Sequence, residues 1–181
     1  YARLLKNKNI YKKADYLLDI GCATGHFLRS FRKILDPSIF YTGLDTHAPF
    51  LNWGGEIYGI SENCNFVHGD AMNLPFKENS FDITIVNLFH FFENIELALK
   101  ESIRATKKYI VWRTPIGEVN YIVKLIYEDS YKKLGTLTAK RNDFEYSLYQ
   151  MFSKKYIDGL INHLGAKVLF IERDLDFEPF D

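Results

Sequence analysis

Short apolar runs and amphipathic stretches take turns along this chain. The runs at residues 16–20, 40–44, 65–68, 83–86 and 109–113 are rich in Leu, Ile, Val, Phe and Tyr and short enough to be buried strands. After the first of them, Phe27, Leu28, Phe31, Ile34 and Leu35 recur at helical spacing, which predicts a helix with one face on the sheet. Strands alternating with helices predict an α/β fold with a doubly wound, mostly parallel sheet and helices on both faces. Pro37, Pro49, Pro75 and Pro115 fall between the runs, where a missing N–H breaks no ladder. Toward the end, Ser153 is a good N-cap and Tyr156, Ile157, Leu160, Ile161 and Leu164 form an apolar stripe. Gly165 closes that helix before a strand at 166–172.

Residues 116–150 are the least regular part. Val119, Ile122, Val123, Ile126 and Tyr127 repeat at helical spacing and residues 132–143 turn polar, which predicts a helical insertion after the fifth strand. Such an insertion lies at the carboxyl edge of the sheet, where ligands of open α/β folds bind. It reads equally as a lid over a substrate and as a helix that covers the sheet.

Composition narrows the class of function. At 181 residues and 47% hydrophobic, the sequence suits one globular domain over residues 1–181. Lys+Arg and Asp+Glu number 23 each, so the electrostatic footprint of a nucleic-acid partner is missing. Cys22 and Cys64 lie far apart with no metal-ligand spacing, which predicts no metal site and reduced cysteines in a cytoplasmic protein. The most apolar region, residues 83–92, is interrupted by Thr84, Asn87 and His90 and is too short to span a bilayer, so no membrane partner is expected.

The chemistry concentrates after the first strand. Gly21 and Gly25 flank a strand-to-helix turn, the geometry that presents backbone N–H groups to a nucleotide-like ligand, and Asp45 follows about twenty residues later at the end of the next strand, where it suits ribose hydroxyls. A pyrophosphate site wants G-x-G-x-x-G, whereas this turn is Gly21-x-x-x-Gly25 with Ala23 in the middle. NAD therefore fits less well than S-adenosylmethionine.

Four segments in order carry a specific resemblance: Asp19-Ile-Gly-Cys-Ala-Thr-Gly25, Tyr41-Thr-Gly-Leu-Asp45, Val67-His-Gly-Asp70-Ala71-Met-Asn-Leu-Pro-Phe76 and Ser80-Phe-Asp-Ile-Thr-Ile-Val-Asn-Leu88. Together they resemble the signature segments of class I S-adenosylmethionine-dependent methyltransferases, nearest the type 11 small-molecule group, with a Rossmann-like fold. The resemblance implies that the turn with Asp19, Gly21, Cys22, Ala23 and Gly25 cradles the methionine end of the cofactor. It implies that Asp45 and the adjoining Thr46 hold the ribose, that Asp70 and the Ala71 backbone recognise adenine, and that Asn87 and Leu88 line the cofactor near its sulfonium. The final antiparallel strand usual in the family is expected to be short, displaced or missing, since only residues 175–181 remain for it.

The chain also departs from the family pattern. Ala23 stands where a glycine is common, which matters only if its φ is positive. Paired histidines after the fourth strand are replaced by Phe89-His90-Phe91-Phe92, and the usual Pro-Gly-Gly before the fifth strand by Ala105-Thr106-Lys107-Lys108. His90 is the best-placed general base or substrate ligand, and the competing reading is a histidine packed within an aromatic wall. Phe89, Phe91 and Tyr121 are candidates to line a pocket, while His26, His47, His68 and His163 fit surface or packing roles. The leading function is methyl transfer to a small-molecule acceptor by in-line displacement. Two alternatives share these residues: a non-catalytic cofactor-binding module that serves a partner, and a less favoured NAD-dependent oxidoreductase.

Overall fold

The computed structural model describes residues 1–87, 89–126 and 146–172. Five strands, β1 (Tyr16–Ile20), β2 (Phe40–Asp45), β3 (Cys64–His68), β4 (Phe81–Val86) and β5 (Thr106–Trp112), form a parallel sheet in the order β3-β2-β1-β4-β5. Central strands of such a sheet are covered on both faces and so need apolar residues at consecutive positions. β4 is buried at all six positions and apolar at four of them, and its two polar members are satisfied locally. Thr84 shares a hydrogen bond with the Thr106 hydroxyl at 2.6 Å, and Asp82 accepts the Tyr16 N–H at 2.9 Å and pairs with Lys108 at 3.1 Å.

Because successive side chains leave a strand on opposite faces, Leu17 and Leu18 feed two separate cores. Leu17, Ile83 and Ile85 pack with Ala2 and Leu5 of α1 (Ala2–Asn7) and with Leu28 and Phe31 of α2 (Leu28–Ile34). Leu18, Ile20 and Val86 pack on the other face with Ala98 and Leu99 of α4 (Ile95–Ala105) and with Ile157, Leu160 and Ile161 of α5 (Lys154–His163). The fifth helix, α3 (Ala48–Tyr58), lies in the crossover from β2 to β3 and begins with Pro49 in its first turn, where the missing N–H costs nothing.

Helix ends follow the local chemistry. The Asn94 side chain accepts the Leu97 N–H at 3.0 Å and starts α4; Ser153 accepts the Tyr156 N–H at 3.2 Å and starts α5, as expected. Gly165, at φ 72, takes the chain out of α5. In place of a turn at Ala105-Thr106, α4 ends at Ala105 and β5 begins at the next residue. The Thr106 hydroxyl closes this junction by donating to the Ser102 carbonyl at 2.5 Å.

Two expectations are corrected. Residues 121–126 form a strand, β7 (Tyr121–Ile126), antiparallel to β8 (Tyr146–Ser153), with β6 (Ile116–Gly117) parallel to β8 on its other side. The helical spacing of Val119, Ile122, Val123 and Ile126 misled because three- and four-residue spacings arise by chance in a short apolar run. The same residues are mostly β-branched, and a pairing partner decides for the strand. The polar residues 132–143 and the terminal residues 175–181 lie outside the described residues. The strand expected at 166–172 joins no ladder, and its Val168, Leu169, Phe170 and Ile171 are exposed. Apolar residues alone do not make a strand; the backbone must also pair with a neighbouring strand, and 166–172 pairs with none of the described strands. Among the described residues no helix is long and apolar enough to cross a membrane.

Candidate functional site

Strand order reverses between β1 and β4, so the chain leaves β1 to one side and β4 to the other and opens a crevice at their carboxyl ends. Every segment singled out in the sequence leaves the sheet along this edge: Gly21 after β1, Thr46 after β2, Asp70 after β3 and Asn87 after β4.

The turn after β1 is tightly self-bonded. The N–H groups of Gly21 and Cys22 both donate to the Leu44 carbonyl, at 2.8 and 3.1 Å, and those of Gly25 and His26 to the Cys22 carbonyl, at 2.8 and 3.4 Å. Most of the amides expected to face a ligand are thus used within the protein. Among the described residues, those of Thr24 and Phe27 remain without a partner. Gly21 and Gly25 have φ of 73 and 82, and Ala23, at φ 48, also occupies the left-handed region. The glycine missing at this position does therefore carry a conformational cost, roughly 1–2 kcal/mol for an L residue. The Ala23 N–H offsets it in part by donating to Asp45 Oδ2 at 2.9 Å.

Asp45 sits at the last position of β2, half-buried, and its other oxygen accepts the His47 N–H at 2.9 Å. An ionised carboxylate has lone pairs to spare beyond these two bonds. Thr46, next to it, is exposed, and its carbonyl lies 2.9 Å from His68 Nε2. Asp70 is exposed as well; its Oδ1 accepts the Met72 N–H at 2.8 Å and fixes a tight turn that buries Ala71. Asn87 is half-buried beside the Tyr1 hydroxyl, which lies 3.4 Å from Asn87 Oδ1 and donates to the Val86 carbonyl at 3.2 Å. Leu88 lies outside the described residues.

Two predicted contacts are displaced inward. Asp19 is wholly buried on the face of α1 and α2, where it accepts the Tyr41 hydroxyl at 2.8 Å while Oδ1 has no partner. Burial pushes its carboxyl up to about 7; the Tyr41 hydrogen bond opposes that rise and the nearby Asp45 charge adds to it. Its position inside β1, one residue short of the turn, is what carries it into the core rather than onto the crevice. Cys22 is buried against Gly43, and burial next to Asp19 and Asp45 raises its thiol far above the ordinary range, so it is no nucleophile.

On the other side of the crevice, Phe89, His90 and Phe91 form a single 3-10 turn after β4. Phe89 is not a pocket residue: it is buried and stacks on Trp112 with ring centres 5.2 Å apart and planes within 5°. His90 is half-buried between Phe91, at 4.2 Å, and Tyr149 of β8, at 5.1 Å. Burial, and then the positive charge of Arg113, lower its pKa below the usual imidazole range, and its Nδ1 is buried with no hydrogen-bond partner. Tyr121, on β7, is exposed. Sequence reasoning missed Tyr1 and Tyr149, which reach this edge from opposite ends of the chain; no local spacing links either to the motifs. Among the described residues no cluster of His, Cys, Asp and Glu could hold a metal ion.

Comparison with known proteins agrees with this geometry. Residues 18–109 match a family profile described as a methyltransferase domain. The chain is 37% identical over 106 residues to the demethylmenaquinone methyltransferases of Staphylococcus aureus strains JH9 and Newman, a match over 58% of this chain and 44% of each of those proteins. It thus spans less than half the length of these curated relatives. Among solved structures it resembles the YcgJ protein of Bacillus subtilis, with 20% identity, a TM-score of 0.56 and coverage of 90% of this chain and 67% of that one. It also resembles a SAM-dependent methyltransferase of Methanosarcina mazei, with 17% identity, a TM-score of 0.57 and coverage of 88% and 82%. At these identities the structural likeness speaks for the fold.

Proposed function

The chain belongs to the class I S-adenosylmethionine-dependent methyltransferases, and on that premise we propose that it methylates a small aromatic molecule of the quinol type. The observation that carries the reading is the pairing of two surfaces across one crevice. Carboxylates at or just past the ends of β2 and β3 are on one side, and an aromatic turn holding the half-buried imidazole of His90 is on the other.

The residues present fit the cofactor. Asp45, with lone pairs left over, suits two vicinal ribose hydroxyls, with Thr46 beside it; Asp70 suits the adenine amino group and the Ala71 N–H a ring nitrogen. The turn from Gly21 to Gly25 would hold the methionine end, where the open amides of Thr24 and Phe27 suit its carboxylate. Asp19 would act only from behind, through Tyr41 and the backbone of β1, and Asn87, just past the end of β4, would stand near the sulfonium. When bound, S-adenosylmethionine supplies an electrophilic methyl group whose departing thioether needs no acid.

The protein's share of the reaction is then alignment and exclusion of water. Phe91 and Tyr149 would offer ring surfaces to a flat acceptor, and the packing of His90 against both would bring its imidazole near the acceptor's hydroxyl or ring carbon. Since its pKa lies below the ordinary imidazole value, His90 is free at neutral pH to take the proton that the acceptor loses as its new bond to methyl forms. The name of the Staphylococcus relatives supports an acceptor of this kind, a demethylated quinone ring.

The test is transfer of a labelled methyl group to a reduced, short-chain demethylated naphthoquinone, run beside calorimetric titration with S-adenosylhomocysteine and NAD. Label in the naphthoquinol, with binding of the sulfur nucleotide in preference to NAD, is the expected result. Tight binding of S-adenosylhomocysteine without transfer to any member of a panel of small aromatic hydroxyl compounds would reject the acceptor reading in favour of a non-catalytic binding module.

A further inference from the structure

The loop from β3 to β4 carries Asp70 and Ala71, yet little within the loop itself holds it in place. The Gly69 N–H donates to the Asp45 carbonyl at 3.1 Å and the Asn73 N–H to the Asp70 carbonyl at 3.1 Å. Beyond Asn73 the restraint comes from α4, about thirty residues further along the chain. Glu101 accepts the Leu74 N–H at 3.0 Å, Arg104 Nη2 donates to the Leu74 carbonyl at 3.1 Å, and Arg104 Nη1 donates to the Phe76 carbonyl at 2.8 Å. The two side chains are themselves locked one helical turn apart, Nε on Oε1 at 2.8 Å and Nη2 on Oε2 at 2.7 Å. Arg104 in turn accepts the Asn79 N–H at its own carbonyl, at 2.8 Å.

This arrangement exceeds what a surface ion pair needs. One guanidinium fork makes four hydrogen bonds, two of them to the loop carbonyls of Leu74 and Phe76, and its carboxylate partner takes the Leu74 N–H. A planar fork fixes the direction as well as the distance of each bond, which a lysine ammonium cannot reproduce. Leu74, the residue held from both its N–H and its C=O, also anchors the loop in the core of α4, as does Ala71. The loop that carries Asp70 is thus tied at its near end to β2 through Gly69 and held at its far end by α4.

We propose that Glu101 and Arg104 are positioning residues that set the adenine selectivity of the cofactor site by fixing the 70–76 loop. The proposal rests on the reading of Asp70 as the adenine contact. A carboxylate accepts a hydrogen bond from the adenine amino group and repels the carbonyl oxygen that hypoxanthine carries at the same place. That preference exists only while the carboxylate is held within hydrogen-bond reach, so a loop freed to drift weakens the adenine compound and leaves the hypoxanthine compound little changed.

The test compares calorimetric affinities of the full chain for S-adenosylhomocysteine and S-inosylhomocysteine, in the parent and in Asp70→Ala, Arg104→Lys, Arg104→Ala and Glu101→Gln. The parent is expected to prefer the adenine compound by at least about tenfold, the worth of one hydrogen bond to a charged group, and Asp70→Ala to lose that preference. Arg104→Lys keeps the charge and the helix and is the variant that decides if Arg104→Ala fails to fold. It should cut the preference by at least about threefold, with the hypoxanthine compound shifted by less than about twofold. A parent-like preference in Arg104→Lys, or an equal weakening of both ligands, overturns the proposal and leaves the pair a structural tie. A parent without preference, or an Asp70→Ala variant that keeps it, rejects the underlying adenine reading instead.

Discussion

The two sides of the crevice are built from different forces. Around β1, β2 and β3 the chain is tied by directional bonds: Gly21 and Cys22 to Leu44, Ala23 and His47 to Asp45, Gly69 to the Asp45 carbonyl. Beyond β4 fewer such bonds act, Arg113 to the Val86 carbonyl and Gln150 to the Phe92 carbonyl, and rings add the rest: Phe89 on Trp112, and His90 against Phe91 and Tyr149. Hydrogen bonds fix angles within narrow limits, whereas aromatic contacts tolerate a range of offsets and tilts. A fixed, invariant ligand suits the first kind of wall and a variable one the second. The contrast agrees with the proposed placing of the cofactor on the first side and the acceptor on the second.

Asp19 offers the largest test of how firmly the first side is built. Its folded carboxyl titrates at about 7, well above the unfolded value, so between about pH 4 and pH 7 the folded protein keeps a proton that the unfolded chain has released. Stability contributed in that way is complete below the unfolded pKa and is lost as pH rises through the folded one. The parent should lose up to about 1.4 kcal/mol per pH unit across this window relative to Asp19→Asn. Denaturant midpoints of the two proteins that move in parallel from pH 4 to pH 8 would show that Asp19 is not held in a costly environment.

Next in size is a crossed pair of substitutions. His90→Ala should lower methyl transfer about a hundredfold, the usual range for a general base, while S-adenosylhomocysteine affinity stays within about threefold. Asp45→Ala should do the converse, weakening that affinity at least about tenfold through lost charge-assisted bonds. If His90→Ala turns over at the parent rate, the imidazole is packing, and positioning alone carries the reaction. If Asp45→Ala binds like the parent, the ribose lies elsewhere.

The smallest effect belongs to Ala23. Glycine at this position relieves the left-handed strain but adds freedom to the unfolded chain, so Ala23→Gly should raise stability by less than about 1 kcal/mol. A clear loss of stability in thermal unfolding would mean that the methyl group has packing value that the φ angle does not reveal.

The sheet was legible because its central strands are mostly apolar on both faces and its strands are separated by turn-forming residues, a signal contained within short runs. The same holds for α5, where Ser153 and Gly165 mark the ends in the sequence itself. β7 was not, since its state is decided by pairing with β8, about two dozen residues away, and its own residues suit either periodicity. The proposed cofactor-side positions Gly21, Asp45 and Asp70 lie at or just past strand ends, where motif and topology coincide. The inward turn of Asp19, the approach of Tyr149 to His90 and the hold of Arg104 on the loop are all contacts between distant segments. They follow from packing that no single stretch of sequence contains.

The seamless passage from Ala105 to Thr106 has a consequence for how this chain can vary. A single residue inserted there would have to rotate α4 by about 100° against the sheet or slip β5 by one pleat. The first would carry Ala98, Leu99, Glu101 and Arg104 away from their partners; the second would turn every side chain of β5 to the opposite face. No slack exists to absorb the change, so this crossover should reject length polymorphism, and a tag or reporter domain spliced in at this point should yield insoluble protein. The 59–63 connection ahead of β3 is mostly exposed and has slack to take it up. Length variation among descendants of this sequence should collect at such surface connections and spare the join between α4 and β5.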